Sequence, residues 1–317
     1  MKTAICGLWH VHAPDYFRKA TELSEVVGVY DEDEQKRKDF CQKNGVKEFN
    51  SLDALLASDA DGVIVCTSTD THIDYMLKIA EAKKNIFTEK VLALSDEDCL
   101  KIEKAIKDNG IDFVISLLQK YRPGPLTVKA VMDSGELGKI NYVRFRNCHS
   151  GSIAHWLPPH FYNRKQCGGG AMIDLGAHGM YLIDWLLGAP EKYSSAFTLA
   201  CDDEQAVKIN PDKVEDNAVT VMSYKNGCIA INETGFVSNC YPMTLEVCGE
   251  NGFVRFSGSE VIKSTLATGG KTESVPMCAE LPLPIEQFLT GNILPGCGIG
   301  EAKALTHMMV GAYGSIT

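Results

Sequence analysis

The chain has no C-x-x-C pair among its 12 cysteines, and none of them stands at a spacing that builds a zinc site. They are scattered, with Cys6, Cys66, Cys228 and Cys248 in apolar settings. Reduced thiols in a cytoplasmic protein, and no metal, are therefore expected. No apolar run approaches the length that spans a bilayer. A secretory leader is not expected either, because the run after Lys2 is interrupted by Trp9, His10 and His12 and lacks a small-residue cleavage site. Basic residues are in deficit, 31 against 41 acidic ones, and the net charge of −10 argues against nucleic acid as a partner. No internal repeat or low-complexity tract is present. What remains is a globular composition, 45% hydrophobic and 23% charged, on 317 residues, enough for two domains.

Glycine is also missing where it would be most informative. The opening MKTAICGLWHVHAPDYFRKA reads as a short apolar strand, a glycine and a turn into a helix. A dinucleotide fingerprint, G-x-G-x-x-G, wants three glycines; Gly7 is present, but Trp9 and His12 hold the other two places. His10 and Val11 lie between them in the same loop.

The first ~118 residues alternate apolar runs with amphipathic stretches. The runs are 3–6, 26–30, 62–66, 85–88 and 113–117; helical patterns cover 14–23, 32–44, 51–57, 71–83 and 95–109. Ser95 with Asp98 forms a capping-box-like start, and Gly110 a stop. Such alternation predicts a doubly wound parallel sheet, with ligands at the carboxyl ends of its strands. From about Ile140 the texture changes to alternating strands at 140–147, 195–200, 218–224, 228–234, 243–248 and 252–257. A long helix at 172–187 is inserted early, and 202–216 reads as a loop. The expected architecture is a parallel α/β domain, 1–118, followed by an α+β domain, 119–317, with a large open, mainly antiparallel sheet. An open face of that kind suits a subunit interface, so a homodimer or homotetramer is expected.

Several residues fall at the predicted strand ends. Asp31 closes the second strand about 20 residues after the loop, where a carboxylate meets adenosine ribose hydroxyls. With Glu32, Asp33 and Glu34 it would repel a 2′-phosphate, favouring NAD over NADP; the same cluster also suits a helix N-terminus. Thr67, Ser68 and Thr69 follow the third strand and either pass under a nicotinamide ribose or, with Asp70 or Thr71, cap a helix whose first turn holds His72. Glu89 and Lys90 end the fourth strand. Later, QCGGGAMIDLGAHGMYLIDWLLG places Gly168, Gly169 and Gly170 before a helix carrying Asp174 and His178 at i, i+4, on one face. That pair suits a general acid and base, a salt bridge or, least well, a metal. Gly176 between them implies a close approach by a ligand.

These motifs resemble the glucose–fructose oxidoreductase/inositol dehydrogenase/rhizopine-catabolism (Gfo/Idh/MocA) family. Its pattern has a Rossmann loop, Thr-x-x-x-x-His (here Thr67–His72), Glu-Lys-Pro (here Glu89-Lys90-Val91) and GGG-x-x-x-D-x-G-x-H (here Gly168–His178). LLQKYRPGPLTVKAVMDSGELGKI resembles the family's interdomain linker and VCGENGFVRF its late strand pair, so the resemblance runs through nearly the whole chain. Two positions depart from it. Trp9 and His12 replace loop glycines, and Val91 replaces the proline. A non-proline cis bond costs about 2.5–4 kcal/mol, so a trans Lys90–Val91 bond is expected.

The resemblance implies a nicotinamide-dependent oxidoreductase acting on a sugar, polyol or related hydroxy or keto compound. His178 would move the hydroxyl proton, Asp174 would orient it and bind substrate, and Lys90 would hold the reacting oxygen. Substrate contacts are sought in HSGSIAHWLPPHFYNRKQC, at Trp156, His160 and Tyr162, and at Tyr121 and Arg122. Two other readings remain: a lyase or glycosidase that uses bound NAD transiently, and a non-catalytic sensor with the same fold.

Overall fold

The computed structural model describes residues 1–316, which cluster into two compact units. The first comprises Met1–Leu117 and Pro282–Thr306; the second comprises Leu118–Leu281 and the residues from His307 onward. The chain passes from the first unit to the second after Leu117, and the later return of Pro282–Thr306 to the first unit departs from the expected 119–317 domain. Its cause is tertiary. The helix Pro284–Thr290 packs on the helix Ala13–Leu23, and Phe288 reaches the ring of Phe87 at 5.8 Å between centroids.

The first unit is built on five parallel strands, β1 (Lys2–Cys6), β2 (Glu25–Tyr30), β3 (Gly62–Val65), β4 (Asn85–Thr88) and β5 (Phe113–Ile115), in the order β2-β1-β3-β4-β5. Helices on both faces bury them on both sides, which is why they read as continuous apolar runs. The order reverses direction at β1 and β3, the switch point where such sheets receive ligands. Ser95 accepts the Asp98 N–H at 3.1 Å, and Gly110 closes the helix Asp96–Asn109 at φ +63°, as the capping signals predict.

The second unit is an eight-stranded sheet. Its strands are β6 (Ile140–Cys148), β7 (Lys192–Thr198), β8 (Asn217–Ser223), β9 (Ile229–Gly235), β10 (Thr244–Gly249), β11 (Gly252–Ser257), β12 (Glu260–Thr265) and β13 (Glu273–Ser274). The order is β13-β12-β11-β10-β6-β9-β8-β7, antiparallel except for the central β6–β9 pair. Helices Pro123–Asp133 and Gly176–Leu187 cover one face, over Val143, Phe145, Leu245 and Val247. On β6 and β9, Arg144 pairs with Glu233 through two bonds of 2.8 and 3.1 Å. The sequence reading missed β12 and β13, and the expected loop at 202–216 contains the helix Glu204–Ile209, capped by Asp203. The predicted helix at 172–187 is divided at Leu175 into Ala171–Asp174 and Gly176–Leu187, although Leu175 keeps right-handed helical angles. All twelve cysteines are thiols, with no disulfide among them. Among the described residues no helix is long and apolar enough to cross a membrane.

Candidate active site

In the first unit the expected residues gather at the carboxyl ends of the strands. Gly7 follows β1 with φ +90°, and a Cβ there would lie 2.6 Å from the Thr67 side chain, so conformation and space both demand glycine. Asp31 follows β2 and turns back on this loop, its carboxylate accepting the Leu8 N–H and, at 2.8 Å, the Asp33 N–H. A carboxylate has capacity for further donors, so the site still fits a ribose diol. Beside it, Glu32 accepts the Tyr75 hydroxyl and Asp33 caps the next helix through the Lys36 N–H.

Thr67, Ser68 and Thr69 are all buried. The Ser68 hydroxyl donates to Asp70 and the Ser68 carbonyl accepts the Thr71 hydroxyl at 2.9 Å, while neither Asp70 nor Thr71 caps the helix His72–Glu81 through its side chain. His72 is only 1% exposed; its Nδ1 lies 3.1 Å from the Leu92 carbonyl, and burial holds its basicity below the ordinary value. It therefore supports the turn after β4 from beneath. On that turn the Lys90 N–H donates to Glu89 Oε2 at 3.1 Å. The Lys90–Val91 peptide is cis, not trans as expected. The expectation weighed a valine's local preference alone, whereas Val91 and Leu92 are buried and the turn is tied at both ends.

Glu89 is the centre of a cluster that the sequence did not announce. It is 2% exposed, and its Oε1 meets His12 Nδ1 at 2.8 Å, the Tyr16 hydroxyl and, at 3.9 Å, His10 Nδ1. Burial pushes its carboxyl up, but the facing His10 and His12 outweigh this and hold it well below the usual carboxylate range. His10, His12 and Glu89 are the one group of three potential metal ligands found among the described residues. Within the group His10 Nδ1 accepts the His12 N–H at 3.2 Å, and Glu89 takes the Tyr16 hydroxyl. Trp9 is half-buried, and Val11 is exposed on the loop.

In the second unit the triple glycine is a clasp for the helices that carry Asp174 and His178. The Glu215 carboxylate accepts the N–H groups of Gly170 at 3.0 Å and Met172 at 3.1 Å, and the Tyr313 hydroxyl donates to it at 2.6 Å. Tyr313 in turn accepts the Ile173 N–H. A Cβ at Gly169 would lie 1.9 Å from the Tyr313 hydroxyl, and one at Gly170 2.0 Å from the Glu215 carbonyl. Gly176 is likewise explained by its own fold. Its neighbours would be Met172 and Thr234, not a ligand, and it starts a helix instead of interrupting one. Asn232, fully buried on β9, donates to the Gly176 carbonyl at 2.8 Å and locks the helix to the sheet.

His178 stands on this anchored helix with Nδ1 2.8 Å from the Tyr181 hydroxyl, whose oxygen accepts the Gln119 N–H at 3.0 Å. Asp174 closes the preceding short helix, near enough to His149 to oppose the loss of basicity that burial imposes there. His149 stacks on Phe236 at 4.8 Å and meets Trp156 at 4.6 Å, leaving Trp156 54% exposed as a ligand contact would need. Tyr162 is different. It is 1% exposed in a core with Phe161, Leu157 and Phe236, its hydroxyl on Ser152, so it supports the loop from within. His160 faces a surface pocket shared with Asn163, Lys208 and Asp212. Tyr121 is buried, and Arg122 bonds Glu280. Tyr16, Tyr181, Glu215 and Tyr313 went unnoticed in the sequence, since each acts through a neighbour that only the fold supplies.

Comparison with known proteins agrees over both units. Residues 1–115 match the family described as "Oxidoreductase family, NAD-binding Rossmann fold", and residues 126–255 match the GFO/IDH/MocA C-terminal domain. Inositol 2-dehydrogenase of Rhizobium meliloti (strain 1021) is 27% identical over 224 residues, 70% of this chain and 65% of that protein, so the match spans just under two thirds of the relative. Oxidoreductase P35 of Formosa agariphila is 24% identical over 91% of this chain and 90% of its own length. The crystal structure of aldose-aldose oxidoreductase from Caulobacter crescentus, complexed with glycerol, shares the fold with a TM-score of 0.83, at 18% identity and coverage of 99% and 97%. With its two halves matched in order, the chain belongs to the Gfo/Idh/MocA family of oxidoreductases, with an NAD-binding Rossmann domain.

Proposed function

We propose that the protein is an NAD-dependent dehydrogenase or reductase acting on a CH–OH group of a cyclic polyol or sugar. The observation that carries this reading is His178, set on a helix locked by Asn232 and Glu215 and held at Nδ1 by Tyr181. With that nitrogen engaged, proton exchange with a substrate hydroxyl falls to Nε2. Asp174 orients the hydroxyl, and the Lys90 ammonium stabilises negative charge on the reacting oxygen. When bound, NAD supplies the hydride acceptor. Gly7, Asp31 and the buried Thr67–Thr69 stretch would hold it, with Trp9, His10 and Val11 along the loop. The acidic run Asp31–Glu34 supports NAD over NADP, because a 2′-phosphate there would meet like charge. The relative named inositol 2-dehydrogenase supports a polyol as substrate. Cysteines kept as thiols fit a cytoplasmic location, and the charged face of the second unit's sheet suits self-association.

Thermal shift with NAD, NADH, NADP and NADPH tests the reading. Saturation at 100 times Kd stabilises by about 2.7 kcal/mol, and NADH should exceed NADPH. No shift with any of the four refutes it. Net NADH formation with myo-inositol or a hexose separates a dehydrogenase from an enzyme that restores its cofactor in each cycle.

A further inference from the structure

The loop glycine replaced by His12 has a partner in Glu89, and that pairing has a consequence for the cofactor. A carboxylate 2% exposed needs a counter-charge close by, since an uncompensated buried charge costs several kcal/mol. The groups facing it are His10 and His12 from the loop, Tyr16 from the helix Ala13–Leu23, Cys66 from the end of β3, and Lys90 from its own turn. Tyr16 gives a neutral hydroxyl, which burial keeps protonated. The Cys66 thiol is fully buried and its acidity suppressed, so it brings no charge. His10 Nδ1 accepts the His12 N–H at 3.2 Å and stands 3.9 Å from the carboxylate, beyond hydrogen-bond distance, and Lys90 attracts the carboxylate less strongly than either histidine. His12 Nδ1, at 2.8 Å from the carboxylate oxygen, is the ring nitrogen that donates to it, and its side chain is 42% exposed, open enough to carry charge.

We propose that His12 is held as an imidazolium by Glu89 and serves as a cofactor-binding residue, its charge replacing the glycine backbone contacts of the fingerprint as the attraction for the dinucleotide's diphosphate. A glycine loop binds phosphate through backbone N–H groups, at nearly constant strength across neutral pH. An imidazolium binds it through a proton that can be lost. Affinity for NADH then falls as pH rises through the imidazole's range, and binding takes up a proton. This assignment rests on the NAD reading above.

The test is NADH affinity of the full-length protein between pH 6 and 9, followed by nucleotide fluorescence, beside a His12→Asn variant. Asparagine keeps an N–H at the Nδ1 position for Glu89 but carries no charge. Wild type should lose about tenfold in affinity across this range, while His12→Asn should bind at pH 6 about as weakly as wild type does at pH 9 and show a flat profile. A flat wild-type profile, or a sloping one retained in His12→Asn, overturns the assignment. Should the variant unfold, histidine-selective NMR titration of wild type decides: the His12 resonance must titrate, and its midpoint must rise on adding NADH. Complete absence of NADH binding at every pH instead removes the NAD reading itself.

Discussion

The Tyr181 hydroxyl lies 2.8 Å from His178 Nδ1 and accepts the main-chain N–H of Gln119 at 3.0 Å, joining the proposed acid/base to the backbone through one phenol. A ring held this way keeps one nitrogen for structure and one for chemistry. Tyr181→Phe should lower kcat by up to about tenfold, the worth of one hydrogen bond, with KM changed less and the imidazole limb of the pH profile displaced. His178→Ala should cost ~100–10,000-fold. An unchanged pH profile in Tyr181→Phe would show that the phenol only packs.

Asp31 has two tasks in the structure, since the same carboxylate that would meet the ribose also secures the Leu8 N–H of the loop. Asp31→Ala should weaken NADH binding by roughly 10–100-fold, the loss expected for hydrogen bonds to a charged group, and narrow its advantage over NADPH. Equilibrium binding of both nucleotides measures this. A variant that still prefers NADH as strongly as wild type would remove Asp31 from cofactor selection.

The Glu215 clasp makes a stability prediction. Glu215→Gln leaves the Gly170 and Met172 N–H groups and the Tyr313 hydroxyl to a weaker acceptor, at a cost of about 1–3 kcal/mol. Each kcal/mol should appear as a fall of about 2–4 °C in Tm. Turnover should fall further than stability does, because the clasp fixes the start of the helices bearing Asp174 and His178.

His72 sets the acid side of the stability profile. Burial lowers its folded-state pKa, so below the ordinary histidine value near 6.5 the unfolded chain binds a proton that the folded chain refuses. Stability from this residue is complete above that value and is lost as pH falls below it. Urea unfolding between pH 7.5 and 5 should show this decline, and His72→Gln should have a shallower slope though lower stability at pH 7.5. Parallel slopes would assign the decline to other groups, His149 among them.

Much of this was legible in the chain because it depends on neighbours in sequence. The five parallel strands appear as uninterrupted apolar runs, and the residues that end them (Asp31, Thr67, Glu89) stand at the sheet's carboxyl edge in any fold of that class. Gly110 and Ser95 speak through local capping. What stayed hidden depends on partners distant in the chain. The GGG stretch reads only as the lead into a helix until Glu215 and Tyr313, 45 and 143 residues beyond Gly170, are seen to fill the space. Gly176 likewise suggested a ligand, and Thr234 occupies that side. Tyr162 looked like a pocket aromatic in a run of polar and aromatic neighbours, yet Phe236 draws it into the core.

The return of Pro282–Thr306 to the first unit bears on how this protein can be dissected. A fragment ending at Leu117 would leave the Ile115 N–H without its 2.8 Å bond to the Cys297 carbonyl and would bare Phe87 where Phe288 covers it. Such a half should aggregate on expression. An autonomous nucleotide module has to be spliced, with 1–117 joined by a short linker to 282–306, and swaps of substrate domains between relatives need two crossover points where the linear sequence suggests one.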